Sequence, residues 1–411
     1  MVSTDRLSRR SVASLLFIAA GAMVSQGFGR FTYPVLLDAI DDDVLHSYER
    51  AGLLGTIGVL AYLLGTALMS YASTRAEPVS LVRAGLSLSL ICLVLMAIAP
   101  GFAILAVGSF LGGLGGAGAW IPSPGLGAAA VGPQRAGLAI GLVGAGIGSG
   151  IVVAGPLTNL VRSLSGDEGA WRPVYVIEAL IAVVVLAGVL FVVRLPATGT
   201  SAERIPVSVI RRVPGWKLLL AAFGLFGFAY SLYFYFLVAQ LKEDGWSSSA
   251  RNWIFTLLGV ASVAGGIIFG RISDSHGRPL TMAVGFALLT VSPLLTLSGV
   301  APLVIAAAVS FGLCVSGTPT AIGAVVADHL SGRSFGAAFG TLTLTFSTAQ
   351  VLGPYFAGKM ADLTGDFTVP FLVASAVGVA GAVCALAMRR AAPLALAMPP
   401  DAEAGAAIRP R

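Results

Sequence analysis

The chain has 411 residues, of which 56% are hydrophobic and only 11% charged, with a mean hydropathy of +0.90. A soluble domain is about one quarter charged, so a soluble globule is excluded. The formal net charge of +6 is explained below by where the basic residues fall, without a nucleic-acid role.

Apolar runs of about 20 residues recur along the whole chain, the length that crosses a hydrocarbon core of ~30 Å. The ~10-residue alternating segments of a transmembrane barrel are missing. The pattern predicts an all-α polytopic membrane protein. The first span is expected at 12–37, followed by 51–73, 79–99, 102–122, 136–160 and 172–194. The longest polar gap comes next, "RLPATGTSAERIPVSVIRRVPGWK", with Pro196, Pro206 and Pro214, and reads as a cytoplasmic linker over 195–214. A second set is expected at 215–241, 251–272, 279–299, 301–328, 333–361 and 367–389. The chain thus divides into six-helix bundles over 1–194 and 215–390, and 391–411 reads as a disordered cytoplasmic tail.

Lys and Arg set the orientation. Eighteen of the 25 lie on the side of the termini and six on the other, leaving Arg30 within a span. Both termini are therefore expected in the cytoplasm, with the protein in the cell (inner) membrane. Arg9 and Arg10 suit a positive-inside anchor better than an export signal, because eleven more spans follow. Cys92, Cys314 and Cys384 lie singly in apolar runs, and His46, His276 and His329 sit in or beside connections. No metal or cofactor is expected from them.

"RAGLAIGLVGAGIGSGIVVAGP" (Arg135 to Pro156) and "RSFGAAFGTLTLTFSTAQVLGP" (Arg333 to Pro354) align without gaps at an offset of 198, with six of 22 positions identical. The halves read as a duplication. Parallel repeats of this kind place a binding site between the halves near mid-membrane and suit alternating access.

Twelve spans, duplicated halves and a basic central linker resemble the major facilitator superfamily. "GRISDSHGRP" (Gly270 to Pro279) resembles that superfamily's loop signature and falls between spans 8 and 9, where its second copy sits. The resemblance implies that Gly270 permits close helix packing, that Gly277 belongs to the same loop, and that Asp274 and Arg278 join a charge network latching the outward-open state. The first-half copy is degraded: "GTALMSYASTR" keeps Gly65 and Arg75 but has no aspartate. Gly155-Pro156 resembles the glycine-proline element of drug/proton antiporters, although Gly353-Pro354 repeats it in span 11, as a duplicated bend would. The arginine that many antiporters carry in span 4 is missing. "AWRPVYVIEA" resembles the superfamily's entry to span 6, which gives Glu178 a structural reading. "GFGRFTYPVLL" in span 1 resembles the YbfB/YjiJ-like transporters of bacteria.

Arg30 is the main functional candidate. Gln26, Arg30 and Tyr33 recur at helical spacing and share a polar face of span 1. An intramembrane arginine costs at least a few kcal/mol and normally faces the bundle interior or a watery cavity. Pro34 cannot donate to the carbonyl of Arg30, and Gly27 and Gly29 loosen the preceding turn, so a kink is expected there. Alternatively Arg30 snorkels toward "DAIDDD". Gln26 continues the stripe inward, which favours the cavity. A lone guanidinium there suits a carboxylate.

In span 7, Tyr230, Tyr233 and Gln240 lie on an aromatic stripe that either faces Arg30 across the cavity or packs within its own half. Gln350 in span 11 is a lesser candidate. The expectation is a secondary transporter, not an enzyme, that moves a small organic anion such as a monocarboxylate. The alternative is a drug or metabolite efflux antiporter of the same fold. The partners expected are the solute, the lipid bilayer and a coupling proton or other ion, with the chain acting as a monomer.

Overall fold

The computed structural model describes residues 8–72, 76–131, 136–194, 207–330 and 332–391. Among them are twelve long helices and no strand. The first six are α1 Arg9–Leu45, α2 Tyr48–Ala72, α3 Pro78–Ile98, α4 Phe102–Val131, α5 Ala136–Ser165 and α6 Arg172–Phe191. The second six are α7 Trp216–Glu243, α8 Ser248–His276, α9 Arg278–Thr296, α10 Ala301–Ala327, α11 Gly332–Thr364 and α12 Thr368–Ala391. Eleven of the twelve are long and apolar enough to cross a membrane. The exception is α11, 33 residues long, whose middle carries threonines, Ser347 and Gln350 where its neighbours carry aliphatics. Leu64, Leu164, Val184 and Phe191 are exposed on the outside of the bundle, as a lipid-facing surface requires.

Glycine sets the closest helix approaches. A Cβ at Gly85 on α3 would strike the backbone of Gly118 and Ala119 on α4, and one at Gly265 on α8 would strike the backbone of Leu313 on α10. The same device joins α1–α6 to α7–α12. Gly155 on α5 backs onto Asn252 and Thr256 of α8, and Gly52 on α2 backs onto Pro354 of α11. Because α5 and α11 carry the repeated segment, these two seams are counterparts. A third seam runs between α1 and α7, where the rings of Phe31 and Phe234 meet edge to face at 5.4 Å.

The linker call falls partly on 195–206, the degraded loop copy on 73–75, and the tail call on 392–411, all outside the described residues. Val207–Arg212 forms a short 3-10 turn that packs against α11.

The irregularity in α1 lies in the turns before Pro34. Met23–Phe31 is π-helical, and an ordinary α-helix resumes at Tyr33–Ile40 with Pro34 in its first turn. The proline removes a donor, and the preceding turns, where Gly27 and Gly29 lie, are widened. A second π stretch, Asp41–Leu45, ends at His46, held at φ 54°.

Candidate functional site

The wide turn aims Arg30 back along its own helix. Its Nη1 donates to Gln26 Oε1 at 2.9 Å, and Gln26 Nε2 donates to the carbonyl of Gly116 on α4 at 3.0 Å. The guanidinium lies 4.1 Å from the ring centre of Tyr62 on α2, a cation–π contact. Gly116 makes room for the pair, since a Cβ there would meet both side chains at 3.4 Å. The guanidinium thus points away from Asp41, Asp42 and Asp43. Arg30 is half-buried, and it belongs to none of the ion pairs among the described residues.

Tyr33 shares a small void with Arg30 but spends its hydroxyl on the carbonyl of Ala51, at 2.8 Å. The void measures about 20 Å³ and is also lined by Cys92, Tyr175 and Tyr235.

On α7 the sequence stripe divides. Tyr233 hydrogen-bonds Thr296 of α9 at 2.6 Å and packs on Phe311 and Phe371, so it faces the interior of its own half, contrary to the cavity alternative. Tyr230 stacks on Phe234 and Phe311. Gln240 Nε2 donates to Asp244, one turn on, and Gln350 is buried on α11 without a hydrogen bond to Arg30 among the described residues. Tyr235 lines the void beside Arg30, its ring 6.4 Å from that of Tyr33. Sequence spacing alone missed it, because α7 is aromatic on every face.

The hydrogen bonds that join the halves gather at the end opposite the termini. Asp38 on α1 pairs with Arg251 on α8 at 2.7 Å, the two side chains only 5% and 8% exposed. Lys242 on α7 contacts Asp42 at 2.6 Å. Asp362 on α11 accepts from Ser47 Oγ and from the amides of Tyr48 and Glu49. Tyr48 donates to Glu243, and Tyr355 donates to Glu49. Arg162 on α5 donates to Ser248 on α8. An open cleft of about 750 Å³ lies above this seal, lined by Asp38, Asp43, Arg172, Lys242 and Arg251. Its charged groups largely pair with one another, as Asp43 does with Arg172, so it reads as a mouth and not as the solute site.

At the end of the termini, Gly277 alone joins α8 to α9, at φ 89°, a conformation that favours glycine. Arg278 contacts Asp274 at 2.5 Å and forks onto both oxygens of Asp328 at 2.9 and 3.1 Å. All three residues belong to α7–α12, so in this conformation the network ties α8, α9 and α10 together and does not cross between halves. Gly270 has open space: a Cβ would meet nothing nearer than Thr320 at 4.0 Å. The close packing expected of it is supplied by Gly265. Pro156 and Pro354 lie inside α5 and α11, which run through them. Gly155 and Pro354 stand on the two seams between the halves, and Gly353 backs onto Ser231 of α7.

A family model described as "Uncharacterised MFS-type transporter YbfB" matches residues 22–387. The chain belongs to this YbfB-type family of major facilitator transporters. Its membrane transport role follows from that membership. A curated relative from Danio rerio, monocarboxylate transporter 10, is 27% identical over 232 residues, which cover 53% of this chain and 45% of that relative's length. The match spans less than half of the relative. Two solved structures share the fold. The nucleoside transporter NupG aligns with a TM-score of 0.76 at 12% identity, over 91% of this chain and 99% of that one. A bacterial homologue of the human lysosomal transporter Spinster, crystallised inward-facing and unoccupied, aligns with a TM-score of 0.75 at 18% identity, over 93% and 98%.

Proposed function

We propose that this YbfB-type protein is a secondary active transporter that carries a small organic anion of the monocarboxylate class by alternating access, with Arg30 as the anchor of the anion. The observation that carries the reading is a half-buried guanidinium inside α1, beside the α1–α7 seam, in no ion pair among the described residues. A cation so placed calls for an anion, and a planar fork suits a carboxylate. Gln26 and Tyr62 orient it, and Tyr33 and Tyr235 close the adjoining void. The partial match to a monocarboxylate transporter supports the same substrate class. With the termini cytoplasmic in the cell membrane, the polar seal at the far end corresponds to an outer gate that is shut. The Arg278 network is then the latch of the opposite state.

Uptake of radiolabelled monocarboxylates into proteoliposomes tests the reading. Arg30→Ala is expected to abolish uptake, and Arg30→Lys to weaken it sharply because an ammonium lacks the fork. Full transport by Arg30→Ala would overturn the reading. The aromatic α7 and Gly155-Pro156 favour drug or metabolite efflux as the second reading. Thermal stabilisation of the detergent-solubilised protein by lipophilic cations and not by carboxylates would select it.

A further inference from the structure

A buried carboxylate lies close to the Arg30 turn and takes no part in the binding described above. Glu178 on α6 is fully buried. Its Oε1 accepts from Thr32 Oγ1 at 2.6 Å, while its Oε2 and the hydroxyl of Tyr175, three residues earlier, have no partner. No ion pair among the described residues includes it. The groups that face it are Tyr175 on its own helix, Cys92 on α3 and Thr32 on α1. None is a cation. An ionised carboxylate buried in such a setting is costly, whereas a protonated one is not.

Thr32 is the residue at which the π stretch carrying Arg30 gives way to α-helix. Tyr175 and Cys92 line the same void as Arg30, and its volume of about 20 Å³ holds a single water. Glu178 is therefore linked to the Arg30 turn by its hydrogen bond to Thr32, and the two groups beside it, Tyr175 and Cys92, line the void that Arg30 lines.

We propose that Glu178 is the coupling-proton site, so that one proton and one monoanion move together. The inference rests on the anion reading of Arg30. The charge balance follows from one buried cation and one buried carboxylate. The loaded centre holds Arg30 cationic, the solute anionic and Glu178 neutral. The empty centre holds Arg30 cationic and Glu178 anionic. Both are neutral overall, so neither carries a net charge across the closed intermediate. The proton joins the carboxylate from water on one side, making an O–H bond, and leaves to water on the other as that bond breaks.

Two measurements on the full chain test this. Infrared difference spectra of the reconstituted protein, acid minus alkaline, read protonation of the carboxyl directly, and a carboxylic C=O band from a buried group is expected in the wild type and absent in Glu178→Gln. Its persistence in Glu178→Gln, or its absence from the wild-type difference spectrum, overturns the proposal. Liposomes with a trapped pH dye then read proton entry when lactate is added outside. Wild type should acidify the lumen, and Glu178→Gln should exchange lactate with no acidification above protein-free liposomes. Lactate movement without protons in the wild type also overturns the proposal. Failure of wild type to move lactate counts against the anion reading, and the infrared band then decides the proton site by itself.

Discussion

Asp362 on α11 caps the first turn of α2 from the other half of the molecule, its Oδ1 accepting the amide of Tyr48 at 2.9 Å. Its Oδ2 takes the next amide, that of Glu49, also at 2.9 Å. The first amides of a helix have no partner within it, so a carboxylate supplied from α11 closes the halves by meeting a need of the backbone. Loss of such a cap costs about 1 kcal/mol. Asp362→Ala is therefore expected to shift the population several-fold toward the form open at this end. The rate of maleimide labelling at Ala39→Cys, a position lining the cleft, would rise accordingly. An unchanged rate would show that the cap does not hold the gate.

The pair of Asp38 and Arg251 is the deepest element of the same seal. Its two partners are nearly dry, and Asp38 Oδ1 and Arg251 Nε lack further partners. Removing one partner of a buried pair costs on the order of 3 kcal/mol, because it strands the other charge. Asp38→Asn should open the seal more than Asp362→Ala does, by the same labelling assay. The double variant Asp38→Asn/Arg251→Gln should recover part of the loss, since nothing charged is then left behind. A double variant as open as the single one would remove the ion pair from the explanation.

Two glycines make a paired test of the packing. Gly155→Ala puts a methyl into the carbonyl of Asn252 and the hydroxyl of Thr256 across the α5–α8 seam, and the sealed form should become inaccessible. Gly270→Ala meets nothing closer than 4.0 Å and gains helix propensity of up to about 1 kcal/mol, so its thermal stability should hold or rise. Equal behaviour of the two variants would contradict the seam geometry.

Tyr233 and Tyr235 are neighbours in sequence that face different ways. Tyr233→Phe removes a hydrogen bond to Thr296 and should cost about 1 kcal/mol of stability, with no change in solute affinity. Tyr235→Phe should leave the melting temperature close to wild type and raise the Kd for the carboxylate. Binding titrations and thermal scans on the two variants separate these outcomes.

Much of this was legible before any coordinates. Apolar runs marked the place of every long helix, and the ends fell within a residue where the flanking sequence changed sharply, as at Pro78 and Phe102. The ends ran furthest past expectation at Leu45 on α1 and Val131 on α4, where polar or proline-containing turns continue the helix. Arg30 stood out because a charge in an apolar run is costly whatever the fold. Its partner Tyr62 did not, since an aromatic in an apolar helix carries no signal of which neighbour it meets. The same limit hid Tyr235 behind Tyr233. Asp362 was beyond reach for another reason: an acidic residue near a helix end is ordinary, and its role depends on a chain segment over 300 positions away.

The π stretches of α1 set the rotation of everything beyond them. Each residue of an α-helix advances the side chain by about 100° around the axis, and a π turn holds an extra residue. Were Met23–Phe31 to tighten to α geometry, the outer part of α1 would turn as a rigid screw, carrying Asp38 away from Arg251. Arg30 and Asp38 thus stand on one helix, and a change of winding at the first reaches the second with no relay of side chains between them.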